Sequence, residues 1–167
     1  MSAIPTLATA RLKLRPHRID DFEDFAALWT DPIVTRYTSG RAFTREESWS
    51  RLLRQNGHWG LLGFGFWAVE ETATGAFIGE AGFLDLRRDI SPPLTAPEVG
   101  WVLTPQAHGK GYATEAVRAA LTWGSDFNPI CIIHPDNAAS IRVAEKCGFQ
   151  ERQRISYKGH PTILFGR

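Results

Sequence analysis

With 167 residues, 43% hydrophobic and 22% charged, the chain is long enough to bury one good core and too apolar to be disordered. Nineteen basic residues against eighteen acidic ones leave a formal charge of +1, so no strong global field draws it to nucleic acid or an anionic membrane. No apolar run approaches the roughly 20 residues of a bilayer span, and "MSAIPTLATARLKLRP" lacks a signal peptide's basic start and apolar stretch.

Two cysteines, Cys131 and Cys147, indicate neither a disulfide framework nor a zinc site. Both read as buried free thiols, a disulfide between them being the alternative. The expectation is a reduced, cytoplasmic protein without a metal, one domain over residues 1–167, with monomer and homodimer both open.

In chain order, "RLKLRP" alternates through Leu12 and Leu14 as a first strand. "IDDFEDFAALWTD" sets Phe22, Phe25, Ala26 and Trp29 at helical spacing, with Asp20 or Asp21 as cap, and Asp31-Pro32 ends that helix. Thr44 and Glu47 form a capping box that opens a second helix through "FTREESWSRLLRQN". "GHWGLLGFGF" reads as a flexible glycine-rich connection, which puts Trp59 beside an acceptor cleft instead of in the core. Phe66–Glu71 and Ala76–Leu86 form a hairpin about Thr72–Gly75. The proline-stiffened loop "RRDISPPLTAP" leads to the strand "EVGWVL", the helix "GYATEAVRAALTWG" and the short strand "ICIIH". "AASIRVAEKCGF" is a helix closed at Gly148, and two last strands, Glu151–Tyr157 and Thr162–Phe165, pair across "KGHP". This order predicts an α+β or three-layer α/β fold with a parallel crossover from Glu98–Leu103 to Ile130–Ile133.

Gly109 and Gly111 stand where that strand gives way to helix. Glycine there lets the backbone turn sharply and approach a ligand, and the unpaired first amides of the helix attract phosphate; a plain turn needs the same glycines. The spacing in "QAHGKGYAT" fits neither a Walker loop nor a dinucleotide fingerprint, which argues against an ATP-binding protein.

"QAHGKGYA" resembles the Gln/Arg-x-x-Gly-x-Gly/Ala signature of the GNAT superfamily of acetyl-CoA-dependent N-acetyltransferases, and "HPDNAASIRVAEKCGF" resembles its later Asn-x-x-Ser…Gly-Phe element. "TARLKLRP", "TDPIVTRYT" and "EVGWVL" are similar to the branch of ribosomal-protein N-terminal acetyltransferases of the alanine and serine type. The resemblance implies a mostly antiparallel sheet of about seven strands, splayed at a cofactor groove and flanked by about four helices. It further implies that acetyl-CoA's pyrophosphate lies on the amides of Ala107, His108, Gly109, Lys110, Gly111, Tyr112 and Ala113, with Gln106 opening the loop as part of the cofactor site. Its pantetheine arm would pair with peptide groups near Val102 and Leu103, and Asn137 and Ser140 would lie near the thioester. No metal is implied.

Acetyl transfer to an amine needs a neutral nucleophile, a donor for the oxyanion and a proton or charge for the thiolate. Glu98 is the first choice for general base, directly or through water; a strand-end glutamate without a role is the alternative. The oxyanion donor would be an amide near Val102. Many relatives carry a tyrosine four residues after the Ser140 position, where this chain has Ala144. Ser140 is the remaining hydroxyl, or a first-turn serine bonding backbone. Tyr112 packs or lines the cofactor channel, Lys110 reaches a phosphate or solvent, and His134 is structural. The acceptor cleft would be walled by residues 31–41, 55–63 and 87–97, with Arg36, Arg41, Arg87 and Arg88 read as solvated surface residues, recognition of a carboxylate or an acidic peptide being the alternative. The reading is direct transfer of acetyl to a primary amine, a protein N-terminus or a small molecule. The rival is a non-catalytic acyl-CoA-binding sensor or interaction module.

Overall fold

The computed structural model describes residues 3–167, and among these it has eight strands and five α-helices. The strands are β1 (Leu7–Ala8), β2 (Leu12–Arg15), β3 (Phe66–Glu71), β4 (Phe77–Leu84), β5 (Glu98–Leu103), β6 (Ile130–Ile133), β7 (Gln150–Tyr157) and β8 (His160–Gly166). The helices are α1 (Phe22–Thr30), α2 (Pro32–Thr35), α3 (Arg45–Leu62), α4 (Tyr112–Trp123) and α5 (Ala138–Lys146). One sheet runs β1-β2-β3-β4-β5-β6-β8-β7, antiparallel throughout except at the β5–β6 crossover. This is the mixed α+β fold that the element order predicts. The two elements beyond expectation are the shortest, β1 with two residues and α2 with four, and neither is long enough to show a period.

The sheet carries a core on each face. In β3, Trp67 and Val69 join Leu12, Leu14, Phe83, Val99 and the inner face of α4, whereas Ala68 meets Phe25, Leu28, Trp29 and Leu52 of α1 and α3. Period-two alternation sorts neighbouring side chains to the two layers. Asp31 turns extended and caps α2, its Oδ1 accepting from the Ile33 amide at 2.7 Å. Asp21 does not cap α1 with its side chain; it accepts from the Arg18 amide and binds Arg15 in a buried pair.

The capping box is present: Thr44 Oγ1 accepts from the Glu47 amide at 3.1 Å, and Glu47 Oε2 from the Thr44 amide at 2.8 Å. The helix it opens is longer than expected. "GHWGLL" is no flexible connection but the last turns of α3, which closes on Gly63 at φ +75°. Trp59 is only 8% exposed, packed edge-on to Trp67 and Trp123, and its indole Nε1 donates to the Phe66 carbonyl at 3.0 Å. Burying that indole outweighs the roughly 1 kcal/mol that each of Gly57 and Gly60 costs a helix. Trp59 therefore belongs to the core, not to an acceptor cleft.

No helix of the described residues is long and apolar enough to cross a membrane, and they contain no group of three side chains able to hold a metal ion. Trp59→Ala is expected to lower stability by about 3–5 kcal/mol in denaturant unfolding; a loss below about 1 kcal/mol, the range of surface changes, would contradict the core placement.

Candidate functional site

β5 and β6 run parallel, but among the described residues their register holds one pair, Glu98 with Ile130. The Ile130 amide donates to the Pro97 carbonyl at 3.1 Å, and beyond this rung the ladder stops. On the other side β5 pairs with β4 along its whole length. The Thr104 amide donates to the Ile78 carbonyl at 2.9 Å, so by alternation the peptide groups of Gly100 and Val102 also face β4. Those of Trp101 and Leu103 point into the gap. This corrects the expectation for Val102, whose side chain packs on the α1–α3 layer. At Leu103 the carbonyl is already engaged, accepting from His108 Nε2 at 2.9 Å, which leaves its amide free of that contact.

Gln106 and Ala107 lie in a single 3₁₀ turn at the end of β5, with Ala107 buried. Gly109 and Gly111 follow at φ +75° and +80°, angles that suit glycine. A Cβ added at Gly109 would have no atom within 4 Å, and at Gly111 the nearest is Arg11 Nη2 at 3.5 Å. The turn thus has left-handed backbone beside open space, and Tyr112 and Ala113 begin α4 with amides that lack an intrahelical partner. Such a cradle fits an anionic phosphate. Lys110 flanks it, exposed. Tyr112 turns its side chain toward β3, where its hydroxyl donates to Glu71 Oε1 at 2.6 Å. Only its backbone is left to serve the turn.

Across the gap, Asn137 caps α5, its Oδ1 accepting from the Ser140 amide at 3.2 Å. Ser140 shares a helix face with Ala144, which is fully buried. His134 closes β6, its Nδ1 accepting from the Asp136 amide at 3.1 Å and its ring 5.3 Å from that of Tyr37. Glu98 pairs with Ile130, the first residue of β6, and Ser140 lies past the other end of that strand, in the first turn of α5.

Glu98 is 4% exposed. Arg88 Nε donates to its Oε1 at 2.6 Å, while Arg88 Nη1 donates to the Tyr157 hydroxyl at 3.3 Å. Burial pushes the Glu98 carboxyl above the ordinary glutamate range, and Arg88 only partly offsets this. The side chain stands at the end of a cleft of ≈ 460 Å³ that Leu62, Phe64, Leu84 and Pro93 wall on its apolar side. Arg88 is therefore not the solvated surface residue expected from sequence; ten positions from Glu98 in a proline-rich loop, it gives no local signal. Arg87 and Arg41 do lie exposed, paired with Asp85 and Glu47. A second buried carboxylate, Glu80, faces the same layer from β4, bound by Arg51 and by Gln55 Nε2 at 2.7 Å, with His17 Nε2 at 3.4 Å. These cations and donors hold Glu80 below the ordinary range despite complete burial.

Residues 11–150 match the family model described as an acetyltransferase (GNAT) domain. The protein YkkB of Bacillus subtilis strain 168, itself uncharacterized, is 32% identical over 173 residues, which cover 100% of this chain and 98% of YkkB. A structure described as a GnaT-family acetyltransferase from Bordetella pertussis matches with a TM-score of 0.86 at 29% identity, over 98% of this chain and 99% of that one. A spermidine N-acetyltransferase from Vibrio cholerae, solved with CoA and spermine, shares the fold at a TM-score of 0.74 and 17% identity, over 95% and 96% of the two chains.

Cys131 and Cys147 are free and buried, and burial raises the proton affinity of both thiols. Iodoacetamide at about pH 8 is expected to leave both unmodified in the folded chain and to alkylate both after denaturation, read by intact mass. Fast labelling of the native chain would contradict their placement.

Proposed function

The chain belongs to the GNAT acetyltransferase family, and from that premise we propose that it moves an acetyl group from acetyl-CoA to a primary amine by direct attack in a ternary complex, as one acetyltransferase domain over residues 1–167. The observation that carries the chemistry is Glu98: a buried carboxylate of raised proton affinity, at the closed end of a splayed strand pair and open to a cleft. A base with those properties takes a proton near neutral pH more readily than an exposed glutamate does. An α-amine, with a pKa near 8, needs less help than a lysine amine near 10.4. The similarity of "TARLKLRP" and "EVGWVL" to the ribosomal-protein branch supports a peptide N-terminus as acceptor, and the spermine-bound relative supports a polyamine.

In this account the glycine turn from Gln106 to Ala113 holds the pyrophosphate, and the Trp101 carbonyl and the Leu103 amide pair with the pantetheine arm. Glu98 accepts the amine's proton, directly or through water, as the C–N bond forms. The Trp101 amide, pointing into the gap, stabilises the oxyanion. The C–S bond then breaks, and the Ser140 hydroxyl donates to the departing thiolate, with Asn137 fixing the helix turn that carries it. Neither buried thiol takes part, so no acyl-enzyme forms. Ala144, without a hydroxyl, favours the rival reading of a module that binds acyl-CoA and does not turn it over.

Release of free CoA from acetyl-CoA, measured across N-terminal peptides, amino acids, polyamines and aminoglycosides, separates the two. Turnover with one acceptor class is the expected result; binding of acetyl-CoA with no thiol release from any amine would favour the rival. Glu98→Gln is expected to lower kcat/KM by about 10²–10⁴-fold. Because Glu98 must be ionised to act and its proton affinity is raised, the acid limb of kcat/KM should lie above the ordinary glutamate range. Arg88→Gln removes the charge that favours the carboxylate and should move that limb to higher pH. A Glu98→Gln variant that keeps full kcat/KM would remove Glu98 from the mechanism.

A further inference from the structure

The "TARLKLRP" stretch has no part in the chemistry above, yet its first residues reach into the cofactor turn. Thr9 and Arg11 sit at the β1–β2 hairpin and meet Glu115, one turn into α4 and 104 positions from Arg11. Thr9 Oγ1 donates to Glu115 Oε1 at 2.7 Å, and the Arg11 amide donates to the same oxygen at 2.9 Å. Arg11 Nε donates to Oε2 at 2.7 Å, and Nη2 lies at the same distance from it. The remaining guanidinium nitrogen, Nη1, donates to the Lys110 carbonyl at 2.9 Å, inside the glycine turn itself.

The guanidinium also stacks on Tyr112, 4.5 Å from its centroid, and that ring is held at its far end by Glu71. The Arg11 carbonyl in turn accepts from the Thr72 amide at 2.9 Å, which ties the hairpin to the end of β3.

We infer that Arg11 is a positioning residue for the pyrophosphate turn, clamping Lys110 and Glu115 so that the Gly111 amide is aimed at the ligand. The peptide unit between Lys110 and Gly111 is planar and trans, so a carbonyl drawn toward Arg11 directs the Gly111 N–H the opposite way. Two glycines in three residues leave this segment free to turn over, and Arg11 supplies the restraint their backbones lack. The same side chain neutralises Glu115, whose carboxylate in the first turn would otherwise repel an anion at the helix start. The positive charge of Arg11 is thus spent on geometry and compensation and does not itself contact the phosphate. This inference rests on the reading of the turn as the pyrophosphate site.

The test compares the affinities of CoA and of pantetheine, which lacks the pyrophosphate, by calorimetry or by competition for the weaker ligand. In the wild-type chain CoA should bind more tightly. Arg11→Ala is expected to weaken CoA by about tenfold or more, the loss of one or two charge-assisted contacts, with pantetheine within about twofold. Arg11→Ala/Glu115→Ala should recover part of the loss by removing the uncompensated carboxylate. Arg11→Lys, which keeps the charge and the stacking but cannot bridge Lys110 and Glu115 together, provides a folded variant should alanine unfold the chain, and it should weaken CoA selectively as well. Parallel weakening of both ligands, or unchanged CoA affinity in a folded variant, would overturn the inference. A wild-type chain that binds CoA no better than pantetheine would overturn the reading of the turn itself, and the inference with it.

Discussion

The structure turns on one rung. β5 and β6 meet at Glu98 and Ile130 and share no further register pair among the described residues, so the Trp101 peptide group and the Leu103 amide, which an ordinary sheet would spend on a neighbour, are left without one. Buried backbone donors and acceptors need partners, and a strand pair that opens into a wedge leaves them for a ligand with an extended, amide-bearing arm. The wedge also fixes what lies around it. Its closed end is Glu98, and beyond the open ends of β5 and β6 the chain turns into α4, whose first amides lack an intrahelical partner, and α5, which Asn137 caps.

Two buried carboxylates share the α1–α3 side of the sheet, and their surroundings drive them apart. Glu80 is fully enclosed, but Arg51, His17 and Gln55 all address it, and it stays ionised. Glu98 has Arg88 alone, and desolvation wins. A carboxylate surrounded by charge and donors can brace a layer of helices, whereas one whose burial outweighs its ion pair holds a proton more readily than an exposed glutamate. This contrast supports the proposed role of Glu98 as the base and leaves Glu80 to the packing of α1 and α3 against β4.

Much of the fold is legible in the sequence because its signals are local. Thr44 and Glu47 mark a helix start by a spacing of three, and Gly148 at φ +86° closes α5 where a left-handed residue is needed. The errors arise where tertiary packing overrides local cost. Gly57 and Gly60 read as breaks, yet Trp59 between them is held by Trp67 of the next strand and by Trp123 far along the chain, and the helix continues through. Val102 illustrates another limit: which residues of β5 face the gap depends on its hydrogen bonds to β4, and a shift of one residue reverses every peptide group. Arg88 with Glu98 and Arg11 with Glu115 are pairs that form only once the loops and the hairpin are in place, so residue type alone gave no reason to link them.

The measurement that bears most directly on the wedge is an amide NMR titration of the folded chain with acetyl-CoA. The account predicts the largest shifts at Trp101, Leu103 and the amides from Gly109 to Ala113, with the Val102 amide, bound to β4, moving far less. Shifts confined to the cleft beside Pro93 and Glu98, or spread over the α1–α3 layer with the glycine turn silent, would place the ligand elsewhere and contradict it.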